Sequence, residues 1–229
     1  MPQSLSINFD LPIPLFPLPN CVLLPHATVP LHIFEPRYRM MVRDALADNR
    51  IIAMAMFEGN AWRDDYEGHP PLRPYVCVGY IIRHEALPDG RFNILLQGVC
   101  RARIVREVPH NRYRTAILEP TEVNQTMEID LSDDRARLDQ LLADPLLRQL
   151  ACVSAIRNWA SSEIPTVVLV DLAIMTTCDN LEDRYRMLAE NSPHARVRWL
   201  EQMLTRTRRT VETAERFGPS ISPDGYGLN

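Results

Sequence analysis

The stretch PLHIFEPRYRMMV, from Pro30 to Val42, decides the fold of the first half of the chain. Its pattern changes from extended to helical at Glu35-Pro36, because proline lacks an N–H and has a fixed φ that suits the first position of an α-helix. Asp48-Asn49 is typical of a helix end. Between these limits apolar side chains recur at helical spacing on one face. They are Tyr38, Met41, Val42, Ala45 and Leu46.

Short apolar segments on both sides of this helix predict strands. In Ile13–Leu18 prolines alternate with large apolar residues, which predicts an edge strand with its bare side facing outward. Ile51–Phe57 and Val76–Arg83 are typical of strands covered on both faces. Leu87–Arg91 contains Pro and Gly90 and predicts a turn, which makes Phe92–Gln97 the second strand of a hairpin. Two further strands are expected at Arg101–Val108 and Tyr113–Glu119.

The second half of the chain has helical patterns. Thr121–Leu131 is polar and aperiodic, typical of a linker, and Asp144-Pro145 and Ser192-Pro193 each predict a helix start. We interpret Thr166–Ile174 as a buried helix because its neighbours are helical, although its β-branched residues favour a strand. The predicted domains are a β-rich domain at 1–120, a helical subdomain at 121–218 and a flexible tail at 219–229.

The composition excludes several kinds of site. All 25 basic residues are arginine, so the chain has no P-loop lysine, Schiff-base lysine or Ser-Lys dyad. The formal net charge is -4, with a near-neutral first half and all of the acidic excess from Thr121 onward, which gives no broad footprint for nucleic acid. Prolines rule out a membrane helix in the uncharged stretch from Leu11 to Phe34. The five cysteines form no C-x-x-C pair, which indicates reduced thiols in a cytoplasmic protein.

Several motifs, taken in order, resemble the N-terminal substrate-binding domain of Lon proteases. They are Leu15–Leu18 (LFPL), Val22–Pro25 (VLLP), Pro30–Val42, Val78-Gly79, the Asp89–Arg91 turn, Leu96–Gly98 and Arg101–Arg103. The resemblance implies an α+β fold: a β-rich PUA-like pseudo-barrel with one inserted helix, followed by a C-terminal helical bundle. The motif residues that would carry this structure are Phe34, Glu35, Pro36, Arg37, Tyr38, Gly79, Gly90 and Gly98.

The same resemblance implies a role in engaging unfolded or flexible polypeptides, with self-association as a homodimer. We expect a stand-alone member without ATPase or protease domains, because the sequence contains no G-x-x-x-x-G-K-[ST] motif and no lysine. It would act without cofactor or metal, as an adaptor in protein quality control rather than as an enzyme.

Aromatic residues beside a long predicted loop, Glu58–Pro74, are the candidates for polypeptide binding. They are Phe57, Trp62 and Tyr66, whose side chains can adapt to varied apolar partners. The alternative for Trp62 and Tyr66 is a variable loop without a function. We assign the nearby Met54 and Met56 to the core.

Other polar residues have structural and functional interpretations. We expect Glu35 to complement the helix N-terminus, and Arg37 and Arg39 to pair with acids on adjoining strands. Arg101, Arg103, Arg112 and Arg114 suggest an RNA-binding face as an alternative function. A small hydrolase with a Cys-His or Ser-His pair is a third alternative. His26, His32 and Glu35 match no zinc spacing, so polar packing is favoured over a metal site.

Overall fold

The computed structural model describes residues 6–66, 68–109, 112–121 and 127–217. These residues form two compact units. The first, here called the sheet unit, comprises the described parts of Met1–Gln125 together with Cys178–Asn191. The second, the helical unit, comprises the described parts of Thr126–Thr177 and Ser192–Asn229.

The described residues form six strands and six α-helices, so the predicted α+β class is confirmed. The strands are β1 (Ile13–Leu18), β2 (Thr28–Ile33), β3 (Ile51–Met56), β4 (Tyr75–Ala86), β5 (Phe92–Val108) and β6 (Thr115–Pro120). The helices are α1 (Pro36–Ala47), α2 (Ser132–Leu142), α3 (Ala151–Ala160), α4 (Thr166–Thr177), α5 (Leu181–Ala189) and α6 (Pro193–Phe217).

The sheet closes on itself through β5, the longest strand. The strand order is β2-β5-β4-β3-β1-β6, and β6 also pairs with β5. One edge of β5 pairs with β4 over Phe92–Arg103, and the other edge pairs first with β2 over Phe92–Gln97 and then with β6 over Ala102–Val108. Register shifts between Val78 and Gly79, and between Ile104 and Arg106, bend the strands at this closure. The result is the predicted barrel-like sheet. It is closed by β5, β4, β3, β1 and β6, while β2 pairs with β5 alone.

The edge position predicted for β1 is wrong. β1 pairs in parallel with β3 over Leu15–Leu18 and antiparallel with β6 at Ile13 and Pro14. Prolines are tolerated because the two pairings occupy different halves of the strand. Pairing with β6 has ended before Pro17, so the missing N–H of Pro17 removes no bond from that ladder.

Helix α1 begins at Pro36 and ends at Ala47, as the sequence predicts, and it buries Tyr38, Met41, Val42 and Ala45. Arg39 on this helix donates from Nε to the Gly90 carbonyl oxygen at 2.7 Å. Gly90 lies in the predicted hairpin turn with a φ of 79°, a value that favours glycine. The helix is therefore attached to the tip of the β4–β5 hairpin.

Two further motif glycines allow close packing inside the barrel. A Cβ at Gly98 would collide with the backbone carbonyl of Leu24, and one at Gly79 would lie 2.8 Å from the Leu96 side chain. The chain around Leu24 packs directly against β5, since the Gly98 N–H donates to the Ala27 carbonyl at 2.9 Å. At Gly98 a side chain would therefore have to displace main chain.

Helix α5 belongs to the sheet unit, although the sequence placed its residues in the helical subdomain. Arg73 donates from both terminal nitrogens to the Glu182 carboxylate, each at 2.8 Å. The Tyr75 N–H donates to the Tyr185 hydroxyl at 3.0 Å. Because these partners are more than a hundred positions apart in the chain, no local pattern could reveal the contact.

In the helical unit α4 is buried on several sides, which explains its ambiguous sequence pattern. Leu169, Val170, Ala173 and Ile174 are all buried, and the helix predicted for this stretch is confirmed. Asp171 is buried as well, and its carboxylate lies 3.4 Å from the Arg196 guanidinium of α6. This ion pair joins α4 to α6 inside the unit.

Candidate functional site

Three aromatic side chains form a cluster at the end of β3 and in the segment that follows it. The Phe57 ring centroid lies 5.8 Å from those of both Trp62 and Tyr66, and the latter two are 6.4 Å apart. Phe57 is only 3% exposed, whereas Trp62 and Tyr66 are half-buried. The structure therefore brings together the three candidate polypeptide-binding residues, with Phe57 underneath the other two.

The start of α1 holds this aromatic cluster in place. The Tyr66 hydroxyl donates to Glu35 Oε1 at 3.0 Å, and Arg37 Nε donates to Glu35 Oε2 at 3.1 Å. Both terminal nitrogens of Arg37 also donate to the Tyr66 carbonyl oxygen at 3.2 Å. The guanidinium carbon lies 4.7 Å from the centre of the Tyr66 ring, within cation–π range. Two residues of the EPRYR motif thus fix both the ring and the main chain of Tyr66.

These contacts correct two sequence-based expectations. Glu35 occupies the N-cap position of α1, but its side chain makes no capping hydrogen bond there. It binds Tyr66 and Arg37 instead. Arg37 and Arg39 do not pair with acids on adjoining strands, because Arg37 binds Glu35 just before its own helix and Arg39 binds the Gly90 carbonyl. Sequence spacing misses these roles because Tyr66 lies 31 positions beyond Glu35 and Gly90 lies 51 positions beyond Arg39.

The pKa values of Tyr66 in the cluster and of Tyr38 on α1 are both raised. Burial, followed by the nearby negative charge of Glu35, raises the pKa of Tyr66. Burial also raises the pKa of Tyr38, whose ring lies beneath the Arg37 guanidinium at 4.6 Å. The site therefore offers partly exposed, uncharged aromatic surface beside a guanidinium. Phe34, which precedes Glu35 directly, is 60% exposed, and its ring stacks on His32 with the centroids 6.2 Å apart.

The four arginines of the predicted RNA-binding face do not form one basic surface. Arg101 is fully buried and donates from Nε and Nη2 to the Met187 carbonyl oxygen at 3.4 and 3.3 Å. Arg103 pairs with Glu119 at 2.7 Å, and Arg114 pairs with Glu107 at 2.5 Å. One guanidinium of the predicted face therefore lies inside the protein, and two others are paired with carboxylates.

The two histidines considered for a metal site lie before and within β2. His32 Nδ1 lies 2.8 Å from Asn93 Oδ1, and its Nε2 lies 3.3 Å from Arg91 Nη1. His26 adopts a φ of 68° at the turn before β2. In the part of the chain that the structure describes, no three His, Cys, Asp or Glu side chains are grouped so that they could hold a metal ion.

Comparison with known proteins places this architecture in a family. The family model for the ATP-dependent protease La (LON) substrate-binding domain matches residues 12–206. The chain belongs to this family. No helix among the described residues is long and apolar enough to cross a membrane.

Relatives of this Lon-family chain are much longer than the chain itself. It is 25% identical over 224 residues to the Lon protease of Dictyoglomus thermophilum, which covers 94% of this chain and 27% of that protein. It is 20% identical over 225 residues to Lon protease 2 of Myxococcus xanthus, covering 96% of this chain and 27% of that protein. The chain thus spans about a quarter of the length of these relatives.

Two solved structures share the fold. The Lon N-terminal domain protein from Xanthomonas campestris superposes with a TM-score of 0.57 at 21% identity, covering 83% of this chain and 96% of that one. The N-terminal domain of a Mycobacterium avium complex Lon protease superposes with a TM-score of 0.63 at 17% identity, covering 85% and 98%. The fold expected from the sequence motifs is that of Lon N-terminal domains.

Proposed function

We propose that this Lon-family chain binds unfolded or flexible polypeptides through the aromatic surface formed by Trp62 and Tyr66, together with the exposed Phe34 that precedes Glu35 in the chain. The observation that carries the proposal is the anchoring of Tyr66 by Glu35 and Arg37, in a domain whose family is defined by substrate binding. The attachment fixes both the ring and the main chain of Tyr66, so the loop presents its aromatic side chains in a defined position. Phe57 contributes from below by supporting the two half-exposed rings.

Polypeptides fit this surface better than a small polar ligand does. Rigid aromatic rings bury apolar area while losing few side-chain rotamers, so they bind varied apolar side chains. Arg63 lies over the Trp62 ring, with its guanidinium carbon 5.6 Å from the ring centre. A guanidinium at this edge can donate to the carbonyl groups of a bound main chain.

We further propose that the chain acts without catalysis, as an adaptor in protein quality control in the cytoplasm. The absence of lysine and of a P-loop motif from the sequence supports this, since Lon chemistry depends on both. The five cysteines are free thiols, which fits a reducing compartment. Homodimer formation stays a prediction of the family resemblance.

Fluorescence anisotropy with a labelled, reduced and carboxymethylated lactalbumin tests the binding function. Trp62→Ala and Phe34→Ala should each raise the Kd at least about tenfold, because exposed aromatic anchors dominate such interfaces. Val105→Ala is the matched control, since Val105 is 51% exposed on β5 and lies outside the aromatic surface. Undiminished binding by Trp62→Ala, or no binding by the wild-type protein, would refute the proposal.

A further inference from the structure

The sheet unit has a cavity at the opposite end of α1 from the aromatic surface. It is a cavity of about 420 Å³ bounded by the N-terminal segment, β1, the end of α1 and the end of β5. Its apolar wall includes Leu11, Ile13, Ile51 and Val108. Leu11 is one of the few large apolar side chains of the described residues that are mostly exposed. The cavity is therefore open to a partner and has an apolar interior.

The charge of the cavity is negative. The two ionised side chains that line it, among the described residues, are Asp44 and Asp48, one helical turn apart. The last turn of α1 carries no basic residue, so the negative end of the helix dipole adds to the two carboxylates. Asp48 makes no side-chain hydrogen bond or ion pair with any described residue. A cation that enters the cavity would thus meet an uncompensated carboxylate.

Tyr113 fixes the position of the other carboxylate. Its hydroxyl donates to Asp44 Oδ2 at 3.0 Å. Burial, together with the hydrogen bond to Asp44, raises the pKa of Tyr113 to about 12, so the phenol stays a neutral donor at physiological pH. The nearby Arg112 acts on Tyr113 but does not line the cavity. The Asp44 carboxylate is therefore held in place by Tyr113, whereas the Asp48 carboxylate is available to a ligand.

We infer that this cavity binds a basic side chain of a polypeptide partner, with the methylene stem against Leu11 and Val108 and the cation at Asp44 and Asp48. Lysine and arginine combine an apolar stem with a charged end, which is the pattern of the cavity wall. An anionic group would be repelled, and a purely apolar one would desolvate the carboxylates without compensation. The inference rests on the proposed function, because it adds that the bound polypeptide must contain a basic residue.

The two sites can act on one chain. Glu35 and Asp48 are separated by thirteen positions along α1, or roughly 20 Å at the rise of an α-helix. An extended polypeptide covers that distance with about six residues. The preferred partner segment accordingly has an apolar residue and a basic residue about six positions apart.

A titration followed by amide chemical shifts tests the cavity without relying on the aromatic surface. The probe is the blocked dipeptide Leu-Lys, and its matched control is Leu-norleucine, which keeps the stem and removes the charge. We expect the lysine peptide to shift the amide signals of Asp48, Asn49 and Tyr113 and the norleucine peptide to leave them in place. Equal shifts with both peptides, or none with either, would overturn the inference.

Two variants identify the carboxylate responsible. Asp48→Asn should raise the Kd for the lysine peptide about fivefold, as expected for loss of one partly solvated charge partner. Asp179→Asn removes the same charge from an exposed site of the sheet unit away from the cavity and should change the Kd little. Equal losses in both variants would mean that only net charge matters, which would contradict a built site. Lactalbumin binding that depends on Trp62 would survive that result, so the two proposals fail separately.

Discussion

Among the described residues, each unit contains one fully buried arginine, and the two contact different kinds of group. Arg101 of the sheet unit is 0% exposed and donates to a main-chain carbonyl, that of Met187. Arg196 of the helical unit is 1% exposed and faces the Asp171 carboxylate at 3.4 Å. In the sheet unit the charge attaches a distant segment, Cys178–Asn191, to the barrel. In the helical unit it joins two helices through an ion pair.

This difference predicts how much stability each unit loses when its buried arginine is removed. Removing Arg101 takes a charged donor from the Met187 carbonyl, and one such hydrogen bond contributes about 1.5–3 kcal/mol. Without Arg196 an ionised carboxylate would stay buried beside an apolar side chain, which costs considerably more. The two units should therefore respond unequally to equivalent substitutions.

The largest effect is expected in the helical unit. Arg196→Met should lower the free energy of unfolding by about 3–5 kcal/mol, because it removes the cation from a buried carboxylate. Urea denaturation followed by the fluorescence of Trp159 and Trp199, which both lie in this unit, measures the loss. Asp171→Leu added to Arg196→Met should recover most of the stability. If the double variant is as unstable as the single one, the ion pair is not the cause.

Ion pairs on the surface of α6 provide a control for this result. Glu212 pairs with Arg208 at 3.2 Å and with Arg216 at 3.0 Å on the same helix as Arg196. Glu212→Gln should cost less than about 1 kcal/mol, because exposed ion pairs are solvated and flexible.

A smaller and more local effect is expected in the sheet unit. Arg101→Met should lower the free energy of unfolding by about 1.5–3 kcal/mol, because the Met187 carbonyl loses a charged donor. Hydrogen exchange should show faster exchange in 178–191 before any change in the barrel strands. Arg103→Met removes a neighbouring but exposed guanidinium and is the control. Unchanged exchange in 178–191 would show that Arg101 does not attach this segment.

The smallest expected effect is a difference between the two units in how their stability depends on alkaline pH. Burial raises the pKa of Tyr185 to about 12 in the folded protein, whereas the ordinary value is 10.0. Because the folded protein holds this proton more tightly than the unfolded chain does, the neutral phenol favours the folded state. That contribution is complete below pH 10 and is lost as the pH rises through about 12. The described residues of the helical unit include no tyrosine. Trp62 fluorescence should therefore report alkaline loss of the sheet unit before Trp159 fluorescence reports loss of the helical unit.

Tyr185→Phe checks the origin of that pH dependence. The variant should make the stability of the sheet unit less sensitive to pH between 10 and 12. An identical alkaline profile for wild type and variant would exclude Tyr185 as the titrating group.

Local patterns predicted several element boundaries, although Asp144-Pro145 is followed by a 3-10 turn at Leu147–Gln149 and the α-helix begins only at Ala151. Pro36 placed the start of α1, Gly90 placed the hairpin turn, and Ser192-Pro193 placed the start of α6, because each depends on backbone constraints within a few residues. The sequence also identified Phe57, Trp62 and Tyr66 as candidates. It could not show that Phe57 lies beneath the other two, since burial depends on what the rest of the chain covers.

The amino-acid sequence by itself determined the α+β class, the Lon-family motifs and the exclusion of lysine-based chemistry, since these depend on composition and short-range order. Tertiary structure alone decided the partners of Glu35, Arg37 and Arg101. Those side chains reach segments between 29 and 86 positions away, and a charged residue carries no local mark of its partner. It likewise decided that β1 lies inside the sheet and that Asp44 and Asp48 face an apolar cavity.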